Sequence, residues 1–369
     1  MNVRLRLRRN ALSDPSNPAD PTDPTLTSPG TARPEAVALP APAATVTLTE
    51  VAAAAGVGES TASRVLRNHG SFSAATRERV LEAAARLGYV PNRIAGTLAS
   101  AGSNLIGILI PSLTNIVFSD VLRGANAVID AAGYQAVVGV TDYDPRREEA
   151  LVTSMLAWRP AAMMLAGLEH SERTRLLLSA SGARVAELLD LDGPGMDLVV
   201  GFSNEGTGEA AARHLLARGY RRIGYLGRDF ARDIRAGKRY RGFVSTLAQA
   251  GLSLVDEEFL GSGSSVGAGR TGTQALLSRS PAIDALYFAN DDMAIGGYFH
   301  CLASNIAVPE RLALFGHNAL DVGRFAPRPL STVRTPRVSV GETGARLLLD
   351  GAPAQVVDLG FELIDGATS

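Results

Sequence analysis

The run Thr47-Leu48-Thr49-Glu50-Val51-Ala52-Ala53-Ala54-Ala55-Gly56-Val57-Gly58-Glu59-Ser60-Thr61-Ala62-Ser63-Arg64-Val65-Leu66-Arg67 reads as two short helices parted by a glycine turn. Thr47 and Glu50 form a capping box, whose hydroxyl and carboxylate satisfy orphan backbone N–H groups reciprocally. Gly56 ends the first helix, and Gly56-Val57-Gly58 is the turn. A second helix over Glu59–Arg67 packs through Val57, Ala62, Val65 and Leu66 and carries small polar groups at its leading end. Ser73 then caps a third helix, Ala74–Leu87, with Val80, Leu81, Ala84 and Leu87 expected on one face and Gly88 closing it. Two short helices around a glycine turn are the helix-turn-helix pattern, whose second helix enters the major groove of DNA. Arg64 suits a bidentate contact with guanine, and Ser60, Thr61 and Ser63 suit bases or phosphates. Pattern alone leaves a second reading, a three-helix packing or dimerisation module without DNA. Between residues 45 and 102, six arginines stand against four glutamates, a net charge of +2 that is only weakly basic.

The next stretch, Val90-Pro-Asn-Arg-Ile-Ala-Gly-Thr-Leu-Ala-Ser-Ala-Gly102, offers a very short helix over Asn92–Ser100. Pro91 suits its first position, where the missing N–H costs nothing, and Gly102 stops it. Isolated helices below about 12 residues are marginal in water, so this segment needs help from its neighbours and can act as a switch. Upstream, residues 10–44 are crowded with Pro, Ala, Thr and Asp, and 1–44 reads as a disordered tail or an over-extended start. The basic opening Met1–Arg9 lacks a following apolar segment, which argues against a secretory signal.

The 369 residues allow two or three domains, and 46% hydrophobic with 20% charged residues fits a globular chain. A net charge of −1 excludes a wholly basic nucleic-acid coat while leaving room for a small basic module. Cys301 is the only cysteine, so no internal disulfide forms and a reducing cytoplasm is expected. No apolar run is long enough to span a bilayer, and no membrane partner is expected.

From Leu105 onward apolar runs alternate with helical stretches. Strands are expected over Leu105–Pro111, Tyr134–Val140, Ala161–Ala166, Val185–Leu189, Leu198–Phe202, Arg222–Leu226, Leu286–Ala289 and Leu312–Phe315. Helices between them include Phe118–Ala132, Glu148–Trp158, Glu205–Arg218 and Arg239–Ala250. That alternation implies parallel sheets covered by helices, and the length implies two lobes. Ligand would sit in the crevice beyond the strands' carboxyl ends. The whole is α + α/β, a helix-turn-helix headpiece at 45–90, a hinge at 91–102 and a two-lobed core at 103–369.

The headpiece run, together with Ser73-Ala-Ala-Thr-Arg-Glu-Arg-Val-Leu-Glu-Ala-Ala-Ala-Arg-Leu-Gly-Tyr-Val-Pro-Asn92, closely resembles that of the LacI/GalR family. The resemblance, which extends over 45–369, implies a dimeric repressor with a periplasmic-binding-protein-like core whose chain crosses between lobes three times. It implies a hinge helix that folds on operator DNA, with Leu98 as a wedge that bends the duplex and Asn92 and Ala95 as its other minor-groove contacts. It places Thr47, Leu48, Thr61, Ser63, Arg64 and Asn68 at the DNA, with Glu59 and Ser60 setting operator sequence. A two-fold dimer demands a near-palindromic operator.

In the core the resemblance places effector contacts at Ser112, Asn115 and Phe118 after the first strand, at Arg239 in Arg239-Tyr-Arg-Gly-Phe243, an arginine that in the family binds effector hydroxyls, and at Asn290 in Ala289-Asn-Asp-Asp-Met-Ala-Ile-Gly296 with Asp291 as helix cap. Relatives that bind neutral sugars carry an Asp where this chain has Asn318, and many have an apolar residue where it has Arg337. Losing a carboxylate and gaining a cation suits an anionic ligand, a sugar acid rather than a neutral sugar. Pro111–Gly124, Ser154–Trp158, Thr335-Pro-Arg337 and Asp358–Phe361 are similar to the gluconate-operon repressors of that family, which adds Thr335 and His170 to the effector set. The expected effector is gluconate or a related aldonate.

Other classes are tested by the same residues. Gly267-Ala-Gly-Arg-Thr-Gly272 fits the dinucleotide fingerprint but follows a Ser/Gly loop instead of an apolar strand, so no cofactor and no catalytic residue is expected. No third carboxylate or His stands at ligand spacing from Asp291 and Asp292, so no metal is expected. A transported-sugar binding protein would need a signal peptide and no headpiece. The chain shows no leucine heptad after Phe361, and a dimer is expected instead of a tetramer.

Overall fold

The computed structural model describes residues 45–67, 69–90, 103–231, 233–261 and 263–369. The tail at 1–44, the hinge at 91–102 with Asn92, Ala95 and Leu98, and Asn68 lie outside the described residues. The chain divides into two compact units, Met1–Pro91 and Asn92–Ser369.

In the first unit, α1 (Leu48–Ala55) opens on the Thr47–Glu50 capping box and closes on Gly56 in the left-handed conformation. Gly58 precedes α2 (Glu59–Leu66), and Ser73 caps α3 (Ala74–Leu87) through the Thr76 N–H. Val51, Ala52, Ala55, Ala62, Val65, Val80, Ala83 and Ala84 form the core, with Val57, Leu66 and Leu87 against it. Leu81 departs from expectation at 45% exposure. Val80, Ala83, Ala84 and Leu87 already complete an i, i+3, i+4, i+7 stripe, and Leu81 is one step round the helix from it.

The second unit holds two parallel sheets of related topology. The first runs β2 (Gln135–Val140), β1 (Leu105–Ile110), β3 (Ala162–Ala166), β4 (Arg184–Leu188), β5 (Leu198–Gly201) and β11 (Gln355–Asp358). The second runs β7 (Asp256–Leu260), β6 (Ile223–Arg228), β8 (Ala285–Phe288) and β9 (Ala313–Phe315). Each sheet therefore places its second strand outside its first and its third on the other side. In doubly wound sheets the order reverses at such a point, and ligands gather beyond the strand ends there. Leu105–Ile110 is buried along nearly its whole length, as its unbroken apolar run requires in a sheet covered on both faces.

Helices cover both sheets. In the first lobe these are α4 (Ile116–Ala131), α5 (Pro145–Leu156), α6 (Glu172–Ser181) and α12 (Arg337–Leu349). In the second they are α7 (Asn204–Ala217), α8 (Ile234–Gln249), α9 (Val266–Arg279), α10 (Asp291–Ala303) and the short α11 (Asp321–Arg324). Phe202 packs in the first core and Ala211 in the second, Val333 in the second and Val340 in the first, Leu359 against the first and Leu363 against the second. The chain thus crosses between lobes three times. An antiparallel pair, β10 (Thr332–Arg334) with β12 (Glu362–Ile364), joins two of those crossings.

All eight expected strands form, within two residues at each end. Four more were not expected. Asp256–Leu260 is acidic and alternates between exposed and half-buried, the mark of an edge strand, and the other three are three or four residues long. Gly267-Ala-Gly-Arg-Thr-Gly272 lies inside α9. A Cβ on Gly269 would stand 2.1 Å from the Met293 carbonyl oxygen, and one on Gly296 would stand 2.0 Å from that of Val266. These glycines let α9 and α10 touch backbone to backbone, which is a packing role and leaves no phosphate-binding turn.

Candidate effector cleft and DNA-facing helix

On the headpiece, the 100° step of α2 sends Ala62 and Val65 inward and leaves Glu59, Ser60 and Arg64 exposed, with Thr61 and Ser63 half-buried. Glu59 is held at the helix entry by the Thr49 hydroxyl, which donates to its carboxylate at 2.6 Å. Arg67 folds back on the same helix and donates to the Ser63 hydroxyl at 2.7 Å. Thr47 is committed to its capping box, and Leu48 is half-buried against the headpiece core. Of the expected DNA-facing set, Ser60 and Arg64 stand free at the surface with their functional atoms uncommitted among the described residues.

In the core, the loops beyond β1, β6 and β8 converge on one cleft between the lobes, as the strand order requires. Its inner cavity is lined by Asn115, Phe118, Arg239, Asn290, His317 and Asn318, together with Tyr143, Asp233 and Arg235. An adjoining cavity shares Tyr143, Asp233 and Arg235. Asn115 caps α4 through the Val117 N–H, and Phe118 is 1% exposed, its ring edge-on to Tyr143 at 6.3 Å. Tyr143 reaches this position because Asp142 and Tyr143 both take positive φ, 53° and 60°. Across the cleft, the guanidinium of Arg235 lies over Phe118 at 5.3 Å and that of Arg228 over Tyr143 at 5.2 Å. Two cation–π pairs therefore span the lobes.

Arg239 is buried and donates to the Asn204 side-chain oxygen at 3.1 Å and the Ala289 carbonyl at 3.3 Å, while its Nε has no partner. Among the described residues no carboxylate neutralises it. His317 is 1% exposed and its Nδ1 is also unpartnered. Burial, with the Arg239 and Arg337 cations nearby, pushes its pKa well below the ordinary value, so it stands neutral. Asn290 is the cap of α10, accepting from the Met293 N–H at 3.1 Å. Asp291, expected as that cap, does another job. Its carboxylate accepts from the Thr332 hydroxyl and the Leu320 N–H, both at 2.7 Å, and ties α10 to the crossover strand.

Ser112, His170, Thr335 and Arg337 are not among the residues lining either cavity. Ser112 caps its own turn through the Thr114 N–H. His170 is buried between two carboxylates, Glu148 at 2.9 Å and Glu187 at 3.6 Å. Thr335 is buried in the crossover. Arg337 pairs with Asp120 at 2.9 Å and also donates to the Asn318 carbonyl, so its charge is matched and it braces the wall behind Asn318. The cations that face the cleft are Arg235 and Arg239. Arg235, Tyr143, Asp233 and Asn204 escaped the reading of the sequence, although the loops after β6 and β2 were the places to look once the sheet order was fixed. Lys238, beside Arg239 but turned away, is buried and bridges the lobes to Asp190 and Glu169, each at 2.5 Å.

No group of His, Cys, Asp and Glu able to hold a metal occurs among the described residues, and none of their helices is long and apolar enough to cross a membrane. Residues 47–92 match the family described as bacterial regulatory proteins, lacI family, and residues 212–369 match a periplasmic binding protein-like domain. The chain is 39% identical over 322 residues to the HTH-type transcriptional regulator GntR of Pseudomonas aeruginosa, covering 85% of this chain and 93% of that protein. A LacI-family transcriptional regulator from Silicibacter pomeroyi superposes with TM-score 0.84 at 43% identity, over 88% of this chain and 99% of the other. The Lac repressor dimer bound to operator and the anti-inducer ONPF superposes with TM-score 0.76 at 26% identity, over 88% and 99%. These relatives are regulators, and the enzyme alternative raised by Gly267–Gly272 falls with them. With a headpiece that matches at one end, a core that matches at the other, and relatives similar along almost the whole length between, the chain belongs to the LacI family of bacterial transcriptional regulators.

Proposed function

We propose that this regulator is a cytoplasmic homodimeric repressor whose hold on a near-palindromic operator is controlled by a sugar acid, gluconate or a related aldonate, bound between the core lobes. The observation that carries the effector class is Arg239. A buried guanidinium with only neutral partners and a free Nε is costly to maintain, and a ligand carboxylate would supply the missing counter-charge through a charge-assisted hydrogen bond. Asn115, Asn290 and Asn318 offer amides for hydroxyls, and Phe118 and Tyr143 offer apolar walls for the carbon chain. Ligand bound here touches both lobes, and it shifts DNA affinity only by its differential affinity for the two lobe arrangements.

The same reading assigns Ser60 and Arg64 to base edges, Glu59 to operator choice, and Arg337 to bracing Asn318. The dimer is supported by an apolar surface on the second lobe, where Phe299 and Leu302 of α10, Val322 of α11 and Phe325 directly after it are 44–72% exposed. Such a patch on a soluble surface marks a docking face.

The test begins with an operator selected from random DNA by the full-length protein. Gluconate is expected to change the affinity for it about 5–150-fold, the usual range of allosteric coupling. Glucose is expected to leave it unchanged, and Arg239→Gln to abolish the response while retaining operator binding. Equal responses to gluconate and glucose, or an intact response in Arg239→Gln, would overturn the sugar-acid reading.

A further inference from the structure

The two adjoining cavities differ in charge. The inner one holds Arg239, neutral His317 and the asparagines, with unpartnered polar atoms on Arg239 and His317, both more than nine-tenths buried. The outer one is lined by four carboxylates, Asp144, Glu148, Glu169 and Asp233, against the single cation Arg235. Each of these carboxylates is held in place. Asp144 and Asp233 cap α5 and α8, Glu148 meets His170, and Glu169 meets Lys238. They are a fixed wall of acceptors.

We propose that the cleft binds its sugar acid in one orientation, carboxylate inward at Arg239 and hydroxyl tail outward along Asp144, Glu148 and Glu169, and so selects monocarboxylates against dicarboxylates of the same length. This rests on the sugar-acid reading above and extends it. Hydroxyl groups donate to carboxylates and are welcome at the outer wall. A second ionised carboxylate there would face four like charges, with Arg235 as the one cation to meet it. Turning such a ligand round changes nothing, because both of its ends are charged. Arg235, at the junction, is the one cation within the outer wall, and its guanidinium lies against the Phe118 ring.

The experiment is calorimetric titration of the full-length protein with gluconate and with glucarate, its counterpart with a carboxylate at each end, followed by the Asp144→Asn/Glu148→Gln variant. Asn caps a helix as Asp does, and Gln keeps an oxygen toward His170, so the variant should fold; its circular dichroism and thermal midpoint verify this. Gluconate is expected to bind the wild type at least tenfold more tightly than glucarate, and the variant to narrow that ratio severalfold mainly by gaining affinity for glucarate. If glucarate binds the wild type as tightly as gluconate, or the ratio is the same in a folded variant, the orientation is overturned and the sugar-acid reading stands. If neither acid binds, the sugar-acid reading falls and takes this proposal with it.

Discussion

Arg239 and Arg337 carry the same charge, yet their neighbours give them opposite standing. Asp120 lies 2.9 Å from Arg337 and neutralises it, whereas Arg239 meets only amide and carbonyl oxygens. A sequence names both arginines and cannot say which has a partner 217 positions away. The same holds for Asp291, which stands fully buried where the helix cap was expected one residue off. Burial pushes its carboxyl up to about 6 from an ordinary 3.8. The folded core therefore takes up this proton more readily than the unfolded chain. The contribution to stability is full below pH ~4 and is lost as pH rises through about 6. Asp291→Asn removes the titration while keeping an acceptor for the Leu320 N–H. Relative to wild type, the variant should gain on the order of 3 kcal/mol in unfolding free energy between pH 4 and pH 7. Urea unfolding at four pH values in that range tests this, and a difference independent of pH would refute it.

At the scale of elements, three helix pairs cross by the same device. Gly124 of α4 and Gly341 of α12, Gly208 of α7 and Gly242 of α8, and Gly269 of α9 and Gly296 of α10 each sit within 2.1 Å, measured from a hypothetical Cβ, of a backbone carbonyl on the facing helix. A side chain of any size there forces the pair apart. Gly208 bears on function, since its close neighbour is the Arg239 carbonyl at 1.8 Å. Gly208→Ala is expected to cost about 1–3 kcal/mol, as overpacking does, and to weaken gluconate binding by displacing Arg239. Gly267→Ala, in the same fingerprint-like run as Gly269 but with nothing nearer than Ser265 at 3.9 Å, should be neutral or stabilising by up to ~1 kcal/mol. Thermal unfolding and titration of the two variants check the contrast, and similar losses in both would remove the packing explanation. The headpiece helices and α4, α5, α7 and α8 are legible from periodicity, capping residues and glycine stops, whereas α6, α9, α11 and α12 are not among those expected. The expected starts slipped where a cap preceded the apolar pattern, as with Asp144 ahead of α5, which opens on Pro145, and Asp233 ahead of α8.

For the whole molecule, the second-lobe face built from Phe299, Leu302, Val322 and Phe325 is where a second copy should dock. A Leu302→Glu/Phe325→Glu variant is expected to sediment as a monomer, to lose operator affinity, and to keep its gluconate affinity within about threefold. A variant that remains dimeric would move the interface elsewhere. Dimerisation matters to the proposed role of the headpiece, because a single helix-turn-helix unit spans one half-site and a near-palindromic operator requires two. The coupling between lobes has visible machinery in the Lys238–Asp190–Glu169 bridge and the two cation–π pairs, all of which a change in lobe closure must stretch or keep.

Local information alone determined much of this protein. Capping residues, glycine stops and an apolar period of 3.6 specify the headpiece helices, and short apolar runs specify eight of the strands, because those signals act over a few residues. The alternation of strand and helix specifies parallel sheets for the same reason. Which side chains share the cleft was decided only by tertiary structure, since the strand order brings loops after β1, β6 and β8 together from more than 170 residues of chain. Charge matching was decided there too. Whether a guanidinium is spent or free depends on the group opposite it, and in this fold that group comes from a distant part of the chain.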